Sequence, residues 1–246
     1  MLLWAFFYRR IAMKTRTIVC LLVLLFGVNQ ANGLVQFKDG LVHVIDYTIN
    51  DDVWVDYQAP GMQTTVNLFT GGEIIFAEQS VLKGFNDSRL NISGGHVDYL
   101  FAYDNSHVTI SNGGANYLRL YDNSHMIMSG GSIWGMTAGG NSQVVILGGN
   151  IGHGLALKNN ANVIINGSDF AIDGSPVGFG EITSVFGGDI YDEPPRMLTY
   201  TPTTSEFGMC QFGIGETASI NLVPEPGTIV LLVTGLIAGG FLLRRK

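Results

Sequence analysis

Between residues 88 and 174 the chain copies itself about every 18 residues, and the copies keep their apolar residues in phase. The units are SRLNISGGHVDYLFAYDN (88–105), SHVTISNGGANYLRLYDN (106–123), SHMIMSGGSIWGMTAGGN (124–141) and SQVVILGGNIGHGLALKNN (142–160). A shorter copy follows at 161–174, and TTVNLFTGGEI at 64–74 reads as an earlier one. Val66, Leu90, Val108, Met126, Val144 and Val163 share one column, and Leu68, Ile92, Ile110, Met128, Ile146 and Ile165 the next, two residues on. After the glycine pair come Ile74, Val97, Ile133, Ile151 and Phe170, with Asn116 as the exception. Leu100, Leu118, Met136 and Leu155, then Ala102, Leu120, Ala138 and Leu157, complete the series.

Spacing by two marks short strands, and the Gly-Gly and Asp-Asn pairs between them mark corners. A short strand with one apolar face cannot bury that face alone. Coils stacked about 4.8 Å apart would align the columns into continuous ladders and pair each backbone group with the coil above or below. Asn105, Asn123, Asn141 and Asn160 would then stack as a ladder of amides at one corner. The chain is therefore expected to be all-β, a parallel β-helix (solenoid) of about 18-residue coils. The inward steps do not fit a strict hexapeptide repeat, which favours a right-handed coil. An antiparallel sandwich would not need columns identical in phase.

Composition agrees. The 33 glycines in 246 residues come with only 7 prolines, so collagen is excluded, and 46% hydrophobic residues exclude disorder. Residues 1–33 read as a secretory signal: Arg9, Arg10, Lys14 and Arg16 precede the apolar run Ile18–Val28, with Ala31 and Gly33 before a cut at Leu34. Met1 and Met13 are both plausible starts. At the far end Thr228–Leu243 is uncharged and closed by Arg244, Arg245 and Lys246, as expected of a transmembrane helix with its cations inside. The body between, 34–223, holds six cations against nineteen carboxylates, a net charge of −13. Such a body repels phosphate backbones, so no nucleic acid is expected as partner. Cys210 is its only thiol, which excludes an internal disulfide framework.

Val223, Pro224, Glu225 and Pro226, then the apolar run, then Arg244, Arg245 and Lys246, resemble the PEP-CTERM sorting signal of exported bacterial proteins. The resemblance covers about the last 24 residues. It implies an exosortase as partner, removal of the tail near Pro224–Pro226, and delivery to the cell surface or an exopolysaccharide matrix. Some ice-binding proteins carry the same tail, and their Gly/Asn/Ser-rich solenoids are similar to these repeats, a weaker likeness. The expected domains are 1–33 signal, 34–63 N-terminal cap or first coils, 64–174 solenoid, 175–223 C-terminal cap and linker, and 224–246 sorting signal with its membrane helix. Asp192–Pro202, with three prolines, reads as an irregular surface loop.

Coil stacking would set Asp104 over Asp122 and His107 over His125. Two carboxylates so close can hold Ca²⁺, whereas an Asp-Asn turn copied by duplication requires no ion. No third ligand has the spacing for zinc. Asp51, Asp52 and Asp56 read as a solvated turn. Tyr99, Tyr103, Tyr117 and Tyr121 form two aromatic columns, able to contact sugar rings or simply to cover neighbouring coils. The outward column Asn67, Asn91, Thr109, Ile127, Val145, Ile164 is too irregular for an ice-binding face. No nucleophile elbow, zincin, Walker or Cys–His motif occurs in the body, so no catalytic residue is assigned and no cofactor is required. The expected function is a structural or adhesive surface solenoid with glycan-binding capacity. The alternatives are a β-helix polysaccharide lyase or hydrolase, for which Arg89 and Arg119 are the basic candidates, and an ice- or ligand-binding surface protein.

Overall fold

The computed structural model describes residues 33–57, 59, 62–75, 80–182, 196–202, 208–215 and 217–225; the signal segment 1–32 and the apolar run of the tail lie outside them. Every regular element in that range is a strand. The first coils contain β1 (Leu34–Phe37), β2 (Val42–Ile45), β3 (Thr48–Ile49), β4 (Asp52–Val55), β5 (Thr65–Leu68), β6 (Glu73–Ile74) and β7 (Val81–Gly84). The long strands β8 (Arg89–Ala102), β9 (His107–Leu120), β10 (His125–Ala138) and β11 (Gln143–Leu157) each wrap almost a whole coil. Then follow β12 (Asn162–Ile172), β13 (Ser175–Pro176), β14 (Gly180–Ile182), β15 (Arg196–Thr201), β16 (Gly208–Ile214) and β17 (Ser219–Pro224).

Apart from β13, β14 and β15, these strands stack in parallel as a β-solenoid of about seven turns with three faces. The first face runs β2, β5, β8, β9, β10, β11, β12, β17, with Val66 beside Leu90, Val108, Met126, Val144, Val163 and Ile220. The second is a short ladder through Ile74, Val97, Ala115, Ile133 and Ile151. The third runs β1, β4, β7, β8, β9, β10, β11, β16 and lines up Val53, Leu82, Leu100, Leu118, Met136, Leu155 and Phe212. All these inward residues are buried and form one core cluster. The in-phase columns of the repeat are therefore the core ladders themselves.

The second ladder corrects one reading. Ala115, not Asn116, fills the column between Val97 and Ile133, because Ile110–Ala115 is as long as Ile92–Val97: only the glycine pair is displaced by one, and the register slips locally where Ser93 pairs with Asn112 and is restored at His96. Gly113 takes up the slip at φ +73. Asn116 points outward instead, and its Nδ2 donates to Asp98 Oδ1 at 2.9 Å. Phe170 is buried but has left this column, since the second half of β12 pairs antiparallel with β15.

One corner turn recurs at every level. The backbone N–H of Ser88, Ser106, Ser124, Ser142, Ala161 and Ala218 donates to the carbonyl three residues earlier, at 3.0–3.3 Å. In the first five of these turns the second residue is left-handed, at Asn86, Asp104, Asp122, Gly140 and Asn159, a conformation that Asn, Asp and Gly tolerate best. Beside it the amides of Asn105, Asn123, Asn141 and Asn160 form the expected ladder, with links of 3.4, 3.1 and 3.1 Å.

The C-terminal end is closed by antiparallel strands. β15 lies on both β16 and β12, and β14 lies on the outer edge of β17. Residues 196–201 are thus a strand and not the loop expected of the proline-rich stretch; Leu198 and Tyr200 are fully buried. Asp173 fixes β15 by accepting from Met197 N at 2.8 Å and pairing with Arg196.

Candidate functional site

The outward positions of the third face carry the aromatic residues. They form three rows along the solenoid axis. One row holds Tyr99 and Tyr117, a second Trp54, Lys83, Phe101 and Arg119, and a third, at the adjoining corner, Phe85, Tyr103 and Tyr121. The in-register coils bring all four tyrosines of the repeat to this face. Tyr99 and Tyr117 stack at 5.1 Å and 14°, Phe85 and Tyr103 at 5.3 Å and 8°, and Tyr103 and Tyr121 at 5.2 Å and 10°. The stacked rings cover one another's faces and are half-buried. Phe101 ties the rows together, edge-on to Tyr99 and Tyr103. Burial and the neighbouring Tyr121 push the Tyr103 phenol up, so it stays a neutral donor and acceptor.

Two cations lie in the middle row. Lys83 Nζ is 5.0 Å from the Trp54 ring centroid, and Arg119 Cζ is 5.4 Å from that of Phe101. Each such contact contributes about 0.5–1 kcal/mol at an exposed site. The aromatic and cationic residues therefore alternate down one row, a pattern that sequence periodicity alone conceals, because Trp54 and Lys83 belong to the irregular early coils. The five successive segments 81–85, 99–103, 117–121, 135–139 and 154–158 contain Lys83, Arg119 and Lys158 and no carboxylate. Trp134 stands at the border of this face, edge-on to Tyr117 at 4.9 Å and stacked on His153 at 4.3 Å.

Asp104 and Asp122 do lie one over the other at the corner, but their carboxylates are taken up by backbone amides. Asn86 N donates to Asp104 Oδ2 at 3.0 Å, and Asp104 N to Asp122 Oδ2 at 3.2 Å. Asp52 accepts from Val81 N at 3.1 Å, and Asp56 from Tyr57 N at 2.7 Å and from the side-chain amide Nδ2 of Asn86 at 2.6 Å. Among the described residues no group of three or more His, Cys, Asp or Glu converges on a metal position. His107 and His125 stack at 5.2 Å, and burial, His125 and Arg89 hold the His107 imidazole below its ordinary value.

A shallow groove of about 390 Å³ runs along the corner between the first and second faces. Its floor is bare backbone from Gly71–Gly72, Gly94–Gly95, Gly113 and Gly131, and its rim carries Glu73, His96 and Ser132. Glu73 and His96 are register partners, and His96 Nε2 lies 3.9 Å from Asp98 Oδ1.

Of the sorting residues, Val223 and Pro224 are the last two of β17, paired with Asn166 and Gly167 of β12, and Glu225 follows directly. Pro226, Arg244, Arg245 and Lys246 lie outside the described residues. The described residues thus form an all-β solenoid whose last coil runs straight into the segment Val223–Glu225. Residues 222–246 match the family model of the PEP-CTERM protein-sorting motif. No curated protein and no solved structure matches the chain. The motif implies an exported protein, with exosortase as its processing partner and a C-terminal membrane anchor before processing.

Proposed function

We propose that this protein is a structural or adhesive solenoid of the cell envelope or extracellular matrix that binds glycans on its third face. The observation that carries the reading is the unbroken aromatic surface made by Tyr99, Tyr103, Tyr117, Tyr121, Phe85 and Phe101 on a rigid parallel sheet. The phenol hydroxyls on this surface can donate to and accept from sugar hydroxyls. The right-handed sense that prevails in parallel crossovers supports a right-handed coil. Signal cleavage before Leu34 and passage to an exopolysaccharide belong to the same reading. The test is co-sedimentation of the protein with host exopolysaccharide. The account expects retention by the native chain and loss of it in the Tyr99→Ala/Tyr117→Ala pair; equal retention would remove the face from the account.

A second reading, a β-helix polysaccharide lyase or hydrolase, is favoured by the juxtaposition of Glu73, His96 and Asp98 beside the glycine groove. Falling polymer size during the same incubation, abolished by His96→Gln, would establish it.

A further inference from the structure

We infer that the ligand of the aromatic face is an anionic glycan, one whose uronate carboxylates fall on Lys83, Arg119 and Lys158. This rests on the glycan-binding reading above and narrows it by charge. The body carries six cations and nineteen carboxylates, yet three of the six lie within the five successive segments 81–85, 99–103, 117–121, 135–139 and 154–158, where no carboxylate occurs; Asp52 and Asp56 flank Trp54 in the coil before them, and Asp104 and Asp122 stand at the corner just beyond. In a chain so acidic, five successive coils that hold half the cations and no carboxylate across this face are a local excess of positive charge.

Spacing sharpens the point. Lys83 stands in β7, Arg119 in β9 and Lys158 just after β11, so the cations recur at every second coil. With coils about 4.8 Å apart, that is a repeat of roughly 10 Å along the axis. Lys83 and Arg119 share one row, and Lys158 lies one outward position aside, at the corner continuing from Tyr103 and Tyr121. An extended chain of equatorially linked pyranoses advances by about one coil per sugar, and successive rings are turned over. Carboxylates on one side of such a chain therefore recur at every second sugar, in step with the cations. The Trp54 and Phe101 rings beneath Lys83 and Arg119 hold those side chains close to the sheet, which lowers the entropy lost on pairing.

The same combination of rings and cations suits single-stranded nucleic acid in other proteins, but there base faces stack on open aromatic faces. Here Tyr99 and Tyr117, and Phe85, Tyr103 and Tyr121, are stacked on each other. A phosphate at every nucleotide would also meet the −13 field of the body, so the glycan is the occupant the geometry favours.

The experiment measures binding of the full chain in detergent micelles to four probes. These are a hyaluronan oligosaccharide with its acid at alternate sugars, the same oligosaccharide with its carboxyls reduced, a neutral β-glucan oligosaccharide, and single-stranded DNA. The expected result is binding of the acid form at least about 10-fold tighter than of its reduced form, weakening with salt. Lys83→Gln/Arg119→Gln should erase the difference and Lys83→Arg/Arg119→Lys restore it, both with native melting temperatures. Equal affinity for the acid and reduced forms would overturn the charge inference and leave glycan binding standing. Failure of every glycan to bind would overturn both, and preferential binding of the DNA would replace the glycan with a nucleic acid.

Discussion

Two glycine-to-alanine changes, chemically identical and placed in neighbouring parts of the stack, should have opposite effects. At Gly114 in β9 an added Cβ would fall 1.8 Å from the carbonyl oxygen of Ser132 and 2.9 Å from its carbon, both backbone of the next coil. To reach ordinary contact the coils must separate by about 1.5 Å, beyond the range of an N–H···O bond. Losing two such bonds at roughly 1 kcal/mol each, with their groups left unsatisfied, gives a destabilisation of about 3–5 kcal/mol. At Gly154 in β11 nothing lies within 4 Å of the added carbon and φ is not left-handed. There Gly→Ala should stabilise by about 0.4–1 kcal/mol, by restricting the unfolded chain. Urea unfolding of residues 34–225, followed by circular dichroism, measures both. Because each coil contacts only its neighbours, Gly114→Ala should also broaden the transition as the two halves uncouple. A Gly114→Ala protein within about 0.5 kcal/mol of the native one would refute the close-packed glycine corner, and so would a Gly154→Ala protein that is equally damaged.

Other positions give equally definite expectations. The Ser124 hydroxyl is fully buried without a partner, and Ala161 and Ala218 make the same turn, so Ser124→Ala should raise stability by up to about 1 kcal/mol; a clear loss in thermal unfolding would contradict this. His107 has a depressed folded pKa, so the unfolded chain binds its proton first and stability should fall as pH drops below about 6.5; thermal melts of His107→Gln should show a flatter profile in that window. Burial pushes the Cys210 thiol up to about 12, so it should react with a maleimide only at the rate of unfolding, and fast labelling of native protein would be inconsistent with the closed C-terminal end. Val223 and Pro224 are paired into the last coil, so an exosortase must peel the end of β17 to reach them; a short Gly-Ser spacer after Pro224 should raise the processed fraction on an immunoblot, and no change would argue against that step.

The solenoid was legible because its core is periodic: Val108 and Ile110 repeat as Met126 and Met128 and again as Val144 and Ile146, and stacking preserves that phase. The Asn105–Asn160 ladder was legible for the same reason. What escaped were departures from period. Ala115 took the place assigned to Asn116 because the coil keeps its length and only its glycine pair is displaced by one, a local slip that left-handed Gly113 absorbs without disturbing the strands on either side. β15 was hidden because flanking prolines mask the alternation of Leu198 and Tyr200, and its pairing is antiparallel and long-range. The four tyrosines could be placed in columns from spacing. Their union with Trp54, Lys83 and Phe85 could not, since the earlier coils differ in length and only the register of β4, β7 and β8 brings those residues alongside. Chemistry carried on the irregular coils is invisible to a repeat.

The most direct test of the account is to incubate the native protein with purified host exopolysaccharide and follow both the polymer's size and the protein's distribution. The account predicts a polymer of unchanged size that carries the protein with it, and release of the protein when Tyr99 and Tyr117 are replaced by alanine. Polymer that shortens, or polymer that leaves the protein free in solution, would contradict it.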